Sequence, residues 1–470
     1  MELHEYASLD AVGLAELIRS GEVSSREVEE TARRAIELVN LDLNALTQPL
    51  FDPALDHDST GPLAGVPCLI KDSGPFARGV SFTLGSRSIR GAFAGVDHEL
   101  MTRFRAAGLV TLGQTTAPEL GLSFSTEPVL YGPTRNPWDL ARGVGGSSGG
   151  AAALVAAGAV PIAHGNDGGG SLRIPASSCG LVGLKPSRGR TPSGPLVGES
   201  GFGLVAEFAL TRTVRDAAVL LDAVSAPTVG EKYTSSAPRR PYVSELRADP
   251  GRLRIALMSD AWSGVAIDAQ VAATALAAGT TLEWIGHVVE HARPDLNPDD
   301  IIDGAMLGAL ATGGAMLRAP SRPDPALLEA VSRAILAETA TSTALELMAA
   351  IDAQHRVTRM VGMFFGEYDL LVTPTLGQLP APHGTLDYDN PGYTMRTWLQ
   401  RILDYGPFTA PFNVSGNPAI SLPLGQSREG LPIGVQLVAA HGREDLLLQI
   451  AAQLEQALPW SGRQPPIYVD

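Results

Sequence analysis

Apolar strands that alternate with amphipathic helices predict an α/β fold built around a central mixed β-sheet flanked by helices. Short apolar runs such as Leu109–Gln114 are typical of buried strands, and segments such as His98–Ala107 carry apolar residues at helical spacing. No repeat period or low-complexity tract interrupts this alternation. With 470 residues, of which 44% are hydrophobic, the chain can bury a large core. We therefore expect a single domain over residues 1–470.

Helix caps and breakers place the elements of the first half. Ser24 or Ser25 is a candidate N-cap for a long helix that ends near Val39, and Gly108 is a candidate stop for the helix that begins at His98. The segment NPWDLARGV, which ends at Val144, is a poor strand. The other elements expected in this half are helices at Leu9–Ile18 and Val214–Val224 and strands at Pro62–Asp72, Leu109–Gln114 and Leu181–Lys185.

The second half begins with a predicted surface connection from about Thr228 to Gly251, which carries prolines and charges and few apolar residues. The alternation of strands and helices then resumes. The elements expected here are strands at Arg252–Ser259, Asp369–Thr373, Ala419–Leu424 and Ile433–Val438, and helices at Ala269–Glu283, at about Asp300–Asp352 with a break near Pro320–Pro325, and at Arg443–Leu458.

Charge and cysteine content narrow the function. The net charge of −15 argues against nucleic acid and anionic membrane surfaces as partners. The segment MELHEYASLD is polar and acidic, unlike the basic and then apolar start of a secretory signal peptide. Apolar runs such as Ala151–Ala163 are too short to cross a bilayer. Two cysteines, Cys68 and Cys179, are too few for a disulfide framework. We expect a cytoplasmic protein that binds neither nucleic acid nor membrane.

The densest chemical signal lies between Ala141 and Pro175, where Ser147 and Ser171 each occupy a glycine-rich turn. Glycine permits backbone conformations and close approaches that other residues cannot make. Consecutive unhindered N–H groups before a serine are what an oxyanion hole requires, whereas a pair of Gly/Ser turns without chemistry is the plain alternative. The glycines beside the first serine are Gly145, Gly146, Gly149 and Gly150, and those before the second are Gly168, Gly169 and Gly170.

Lysine is rare in this chain and occurs only as Lys71, Lys185 and Lys232, although Lys and Arg together total 35. A lysine retained among so many arginines is a candidate for work as a neutral amine, which arginine cannot do. Lys71 ends the apolar run AGVPCLIKD, where burial would lower its pKa. A fall from about 10.4 to about 8 corresponds to about 3 kcal/mol, which burial can supply. The neighbouring carboxylate of Asp72 need not oppose this fall in the pKa of Lys71, because adjacent strand residues point to opposite faces.

One alternative is a nucleophile elbow. The cluster fits Gly-x-Ser-x-Gly around both Ser147 and Ser148, and Asp369 with His383 or His441 would complete the triad of an α/β-hydrolase-type esterase. The strand that must precede such an elbow is weak here. Both histidines also lie in polar loops, where solvated surface is the commoner environment.

Metal and phosphate sites are further alternatives. The segment HVVEH (His287–His291) fits a zinc pattern that works only on a helix, whereas Gly286 before it favours a strand. Neither glycine cluster continues into the Gly-Lys-Ser/Thr of a phosphate-binding loop. We therefore expect no metal site and no phosphate loop.

The lysine and the two serine turns together resemble the amidase signature family, serine hydrolases with a Ser–cisSer–Lys triad on a mixed α/β fold. Within that family, the GGSSGG and AHGND segments and the C-terminal PFNVSGNPAISLPLG look most like bacterial amidases that include the 6-aminohexanoate cyclic-dimer hydrolases. The resemblance extends through nearly the whole chain. The matching stretches are Gly65–Asp72, Thr134–Gly150, Asn166–Arg190, Arg212–Val224, Phe412–Pro423 and Gly430–Ala439.

The resemblance implies that the chain hydrolyses a small-molecule carboxamide through an acyl-enzyme. It makes Ser171 the nucleophile and Lys71 the base, with Ser147 relaying the proton from a cis peptide after Gly146. The family's spacing between its two serines selects Ser147 rather than Ser148. The resemblance also places the oxyanion hole at the backbone amides of Gly168, Gly169, Gly170 and Ser171, and supporting roles at Gly146, Ser148, Asp167 and Arg173.

Several residues depart from the family pattern. Asn166 stands where the family often has serine or threonine, and Gly168 replaces a frequent threonine or isoleucine. Gln114 and Thr116 deviate from a frequent Gly-Lys-Thr-Asn segment. We expect these changes to alter the fit of the substrate more than the chemistry.

The same resemblance sets expectations for cofactors, covering elements and partners. It implies no metal and no organic cofactor, and a small-molecule amide as the ligand. The helical segment at about 300–352 is expected to cover the active-site face. A homodimer is one candidate assembly, and the oligomeric state stays open. Within the family the alternative is a glutamine-amidotransferase subunit of a transamidation complex, and outside enzymes it is a binding protein that kept the fold.

Overall fold

The computed structural model describes residues 1–195, 197 and 200–469, so that Asp470 of the expected domain lies outside the described residues. Within them the chain alternates between strands and helices, as predicted. The strands are β1 (Pro67–Lys71), β2 (Ser81–Phe82), β3 (Ala92–Phe93), β4 (Val110–Thr115), β5 (Arg135–Asn136), β6 (Asp139–Gly143), β7 (Ile162–Asp167), β8 (Val182–Lys185), β9 (Ala206–Thr211), β10 (Arg254–Leu257), β11 (Val288–His291), β12 (Leu370–Pro374), β13 (Ala419–Gln426) and β14 (Pro432–Ala439).

Ten of these strands form one mixed sheet in the order β11-β10-β12-β14-β13-β8-β9-β7-β1-β4. β1 runs parallel to both of its neighbours, β4 and β7, whereas β7 pairs antiparallel with β9. The carboxyl ends of β1 and β7 therefore meet at one edge of the sheet, together with the start of β9. This edge brings Lys71, the end of β7 and the loop after it close together.

Some helices pack on the sheet, and others pack on one another. Among the described contacts, α5 (Gly149–Ala156) packs on β1 and β7, and α6 (Arg173–Cys179) packs on β8 and β14. The helix α10 (Pro298–Arg318) packs on three other helices, α11 (Ala330–Thr341), α12 (Ala344–Phe364) and α13 (Met395–Tyr405). In chain order, the helices of the described residues are α1 (Leu3–Ser8), α2 (Ala11–Ser20), α3 (Ser25–Leu43), α4 (Glu99–Ala107), α5 (Gly149–Ala156), α6 (Arg173–Cys179), α7 (Val214–Val224), α8 (Tyr242–Glu245), α9 (Ala269–Trp284), α10 (Pro298–Arg318), α11 (Ala330–Thr341), α12 (Ala344–Phe364), α13 (Met395–Tyr405), α14 (Pro411–Val414) and α15 (Glu444–Ala457).

Local sequence signals explain the ends of several helices. Ser24 is the N-cap of α3 and accepts a hydrogen bond from the backbone amide of Glu27, which decides between the two serines proposed for that role. His98 caps α4 through its side chain, and Gly108 ends that helix in the left-handed conformation that glycine adopts without strain. The helix predicted from His98 to Ala107 is therefore confirmed, with His98 as its cap.

Other predicted elements need correction. The strand expected from Pro62 begins only at Pro67, because residues 62–65 form turns. The NPWDLARGV segment contains β6, which pairs with β5 in a separate hairpin and not in the main sheet. The segment expected to be helical at 300–352 is divided among α10, α11 and the start of α12. The break predicted near Pro320–Pro325 is confirmed between α10 and α11, and a second break, which the sequence does not indicate, lies at Ser342 and Thr343. That it covers the active-site face remains a prediction.

Among the described residues, α10 has the length and apolar composition of a membrane span, and α11 with α12 would qualify as one bent pair. Buried helices of a protein core share this length and composition, so these two properties alone do not indicate a membrane span. Here α10 contributes Ile301, Ile302 and Leu307 to the buried interior, and its other contacts are with α11, α12 and α13.

Candidate active site

The side chain of Lys71 lies at the carboxyl end of β1 and is fully buried, at 0% exposure. Its Nζ atom lies 2.7 Å from Ser147 Oγ, 3.1 Å from Ser148 Oγ and 2.7 Å from Asn166 Oδ1, in a hydrogen bond with each. Three oxygen atoms thus surround one amine. The structure brings Lys71 together with Ser147, as the sequence predicts, and adds Asn166 to the group.

Burial dominates the electrostatics of this amine. Removal from water lowers the pKa of Lys71 to about 7, although the carboxylates of Glu207, Asp167 and Asp72 act in the opposite direction. Asp72 accepts hydrogen bonds from Thr83 N and Oγ1 and from Gly85 N instead of pairing with the lysine. Near neutral pH a large fraction of Lys71 is therefore uncharged, which is the state that a general base requires.

The first serine loop is held by close backbone contacts. The peptide bond between Gly146 and Ser147 is cis. A Cβ atom at Gly146 would lie 2.8 Å from both Ser123 O and Ser125 N, so only glycine fits at this position. Ser147 and Ser148 are both buried, and α5 begins directly after them.

The second serine loop connects β7 to α6. Gly170 has φ of +146°, and a Cβ atom there would approach Thr409 Oγ1 to 2.5 Å, so this turn also requires glycine. Thr409 Oγ1 in turn donates a hydrogen bond to Gly169 O at 2.6 Å. The two serine loops are joined by a hydrogen bond from Ser148 N to Ser171 O at 3.3 Å.

Ser171 is 5% exposed, and its hydroxyl makes no hydrogen bond to another residue that the structure describes, Ser147 included. The backbone amides that lead to it are equally unpaired within the described ranges. Unpaired N–H groups around a serine are available to bind an oxyanion. These amides belong to Gly168, Gly169, Gly170 and Ser171.

A buried ion pair joins the two ends of the loop that carries Ser171. Arg173 Nη2 lies 2.8 Å from Asp167 Oδ1, and neither side chain is exposed. Burial alone would raise the pKa of Asp167, but the charge and hydrogen bonds of Arg173 outweigh it and keep that pKa well below its usual range. Arg173 also donates to Thr409 O, Gln436 Oε1 and Asn413 Oδ1. Asp167 and Arg173 thus lie where a supporting role was predicted.

Sequence reasoning missed two groups near the amine. The sequence predicts only an effect of Asn166 on substrate fit, whereas in the structure its side chain contacts Lys71 directly. Glu207, on β9, lies opposite Asn166, and its carboxylate contacts His164 Nε2 at 2.8 Å. A charged residue inside the apolar run of a buried strand was the available signal, because such a charge needs a partner.

The elements needed for a nucleophile elbow do not come together. His383 pairs with Glu127, and His441 lies against the backbone oxygen of Arg188, so neither contacts Ser147 or Ser148 within the described residues. The α/β-hydrolase alternative is therefore not supported.

Four of the five residues of the zinc-like segment His287–His291 form the strand β11 (Val288–His291), as the preceding glycine indicates. His287 instead contacts Leu253 N and Gln453 Oε1. The described residues contain no group of three or more His, Cys, Asp or Glu side chains arranged to hold a metal ion.

Comparisons with known proteins agree with this geometry. Residues 27–448 match the Amidase family. The 6-aminohexanoate-cyclic-dimer hydrolase of Paenarthrobacter ureafaciens is 41% identical, over 97% of this chain and 96% of that protein. A solved structure of 6-aminohexanoate cyclic dimer hydrolase with its substrate superimposes with a TM-score of 0.92 at 39% identity, covering 98% of this chain and 99% of the other.

A bacterial aryl acylamidase of the amidase signature enzymes superimposes with a TM-score of 0.85 at 27% identity, over 96% of this chain and 97% of that one. Both the family match and the similarity to the cyclic-dimer hydrolase extend over most of the chain. The ten-stranded mixed sheet confirms the predicted amidase signature fold. The chain belongs to the amidase signature family and is an amidase, a hydrolase of carbon–nitrogen bonds in amides.

Proposed function

We propose that this amidase works through a Ser–cisSer–Lys triad, with Ser171 as the nucleophile, Ser147 as the relay and Lys71 as the base. The observation that carries the proposal is the fully buried Lys71 amine, 2.7 Å from Ser147 Oγ. A serine hydroxyl attacks an amide only when a base removes its proton, and a desolvated lysine is such a base near neutral pH.

In the proposed first half-reaction, neutral Lys71 takes the proton of Ser147 while Ser147 takes the proton of Ser171. Ser171 Oγ bonds to the amide carbon, and the carbonyl oxygen becomes an oxyanion facing the unpaired amides of the glycine loop. The proton then returns through Ser147 to the nitrogen, the C–N bond breaks and the amine leaves. An ester on Ser171 remains, which is the acyl-enzyme.

In the second half-reaction, water replaces the amine. It attacks the ester carbon, gives a proton to the same relay and releases the carboxylic acid with Ser171 restored. The relay requires the hydroxyls of Ser171 and Ser147 to form a hydrogen bond. Catalytic hydrogen bonds often form or shorten only when substrate is bound, so we assign that contact to the complex.

The substrate that we propose is a cyclic amide related to the 6-aminohexanoate cyclic dimer. The support is the 41% identity with a hydrolase of that name and the superposition with its substrate complex. We further propose that the enzyme works in the cytoplasm without a metal or organic cofactor, and that it needs neither nucleic acid nor membrane.

Substitution of the nucleophile is the first test. Ser171→Ala should lower kcat by about 1,000-fold or more, because no oxygen remains to form the acyl-enzyme. The control is Ser178→Ala on α6, a buried serine whose hydroxyl makes no hydrogen bond in the described structure, and it should keep full activity. Mass spectrometry after reaction with a sulfonyl fluoride should place the label on Ser171. A label on Ser147 or Ser148, or an active Ser171→Ala, contradicts the proposal.

The pH dependence of kcat/KM tests the base. The pKa of Lys71 is lowered to about 7, and only the neutral amine accepts a proton, so the rate should rise with pH and level off above that value. Below it, kcat/KM should fall about tenfold per pH unit. Measurement with a substrate that does not ionise between about pH 5 and about pH 9 isolates this limb. A rate that is constant over this range excludes a lysine base.

A substrate panel tests the proposed specificity. We expect the purified enzyme to hydrolyse the 6-aminohexanoate cyclic dimer with a higher kcat/KM than a linear 6-aminohexanoate dimer, an anilide or glutamine. A higher kcat/KM for the anilide would mean that the preferred substrates are aryl amides and not cyclic amides. Release of ammonia from glutamine, together with a co-purifying subunit, would favour the amidotransferase alternative.

A further inference from the structure

A row of polar side chains extends from Lys71 across β7 and β9, in which Asn166 is half-buried and the others are buried. Asn166 and Glu207 are directly opposite each other in the antiparallel pair β7–β9, so their side chains share one face of the sheet. His164, two residues before Asn166, lies on the same face, and its Nε2 is 2.8 Å from Glu207 Oε2. The order is therefore Lys71, Asn166, Glu207, His164.

Hydrogen-bond chemistry fixes the orientation of the Asn166 amide. An ionised carboxylate can only accept hydrogen bonds, and Asn166 Nδ2 donates to Glu207 Oε1 at 3.5 Å and to Ser73 Oγ at 3.4 Å. The other end of the amide, Oδ1, consequently faces Lys71 at 2.7 Å. Because an amide oxygen has no proton, Lys71 must be the donor in that contact.

The contact with Ser148 has the same direction. The Ser148 hydroxyl donates its own proton to the backbone oxygen of Asn166 at 3.3 Å, so its Oγ accepts from Lys71. A neutral amine has two N–H groups and one lone pair. With both N–H groups used on Asn166 and Ser148, the lone pair is directed at the hydroxyl of Ser147.

Three carboxylates act on Lys71, and Glu207 is the one that is linked to the amine through the side chain of Asn166. Asp167 is paired with Arg173, and Asp72 accepts from Thr83 and Gly85. Among the influences on the pKa of Lys71 that oppose burial, Glu207 comes first, before Asp167 and Asp72.

The remaining groups beside Glu207 are His164 and, at the N-cap of α4, His98. Burial lowers the pKa of His164, which keeps its imidazole neutral near pH 7. Its Nδ1 is buried without a partner among the described residues, so we assign its proton to Nε2, where it bonds Glu207. Burial alone would raise the pKa of Glu207, but this hydrogen bond and the electrostatic effects of His164, His98 and Lys71 together keep that pKa below its usual value, so the carboxylate is ionised.

We propose that Glu207 is a positioning residue for catalysis: through Asn166 it directs the lone pair of Lys71 at Ser147, and its charge sets the pH range in which the amine is a free base. This role rests on the proposed triad. Glu207 touches neither of the two serines nor, in the proposed mechanism, the substrate.

The test is Glu207→Gln, which removes the charge and keeps the size of the side chain. Without the carboxylate, the protonated amine loses a favourable charge, and the rising limb of kcat/KM should move to lower pH by about one unit. On the plateau kcat should fall about tenfold or more, because the orientation of Asn166 is no longer enforced, while KM changes little. The pH dependence of sulfonyl fluoride labelling of Ser171 should show the same displacement.

The matched control is Glu444→Gln, which also neutralises a buried carboxylate whose pKa lies below its usual value. Glu444 accepts hydrogen bonds from Ser187 N and Arg190 Nη2, neither of which belongs to the triad, and it does not contribute to the pKa of Lys71. This variant should lose thermal stability, whereas the rising limb of its kcat/KM should lie at the same pH as in the wild type. A loss of activity caused by general destabilisation would appear in both variants, whereas a displaced limb would appear only in Glu207→Gln.

If the rising limb of kcat/KM stays in place or moves to higher pH in folded Glu207→Gln, the positioning role is overturned. If that variant does not fold, Glu207→Asp carries the test, because it keeps the charge but withdraws it from Asn166. Its limb should stay within about half a unit of the wild type while kcat falls, and an unchanged kcat overturns the role. A failure of the triad itself is separate, since it appears as an active Ser171→Ala.

Discussion

A lysine amine held away from water is the constraint on which the rest of the site depends. Burial at the end of β1 makes the charged form of Lys71 costly, and the nearby carboxylates recover only part of that cost, so the pKa settles at about 7. A chain with 32 arginines and only three lysines keeps one of the three at this position. Arginine could not replace it, because a guanidinium does not lose its proton near neutral pH.

The side chains that surround and support the amine are hydrogen-bonded and, apart from the half-buried Asn166, buried. The Asp167–Arg173 pair joins the glycine loop to three residues from distant parts of the chain, namely Thr409, Asn413 and Gln436. The glycines allow this loop and the cis Gly146–Ser147 loop to approach their neighbours within distances that a Cβ atom would prevent. A connected polar network of this kind favours one geometry over many. The unpaired amides before Ser171 lie outside that network, and they are the groups assigned to the oxyanion.

Much of this site could be read from the sequence, because its parts lie on local patterns. The apolar run before Lys71 and the two glycine-rich serine turns are visible without a structure, and so are the caps of α3 and α4. The sequence does not place Asn166 and Glu207 beside Lys71, because their contact depends on strand register. They are 41 positions apart in the chain and meet only because β7 and β9 pair antiparallel. The hairpin of β5 and β6 was likewise hidden, because its short strands carry polar side chains.

The protonation state of Lys71 can be measured directly, without turnover. With three lysines in the chain, a sample labelled with ¹³C-lysine gives few side-chain signals, and the one that disappears in Lys71→Met identifies the amine. We predict that this Cε signal titrates with a midpoint near pH 7, in protein that stays folded across the range. A midpoint above about 10 would mean that Lys71 is an ordinary charged lysine, and the buried neutral base would be refuted.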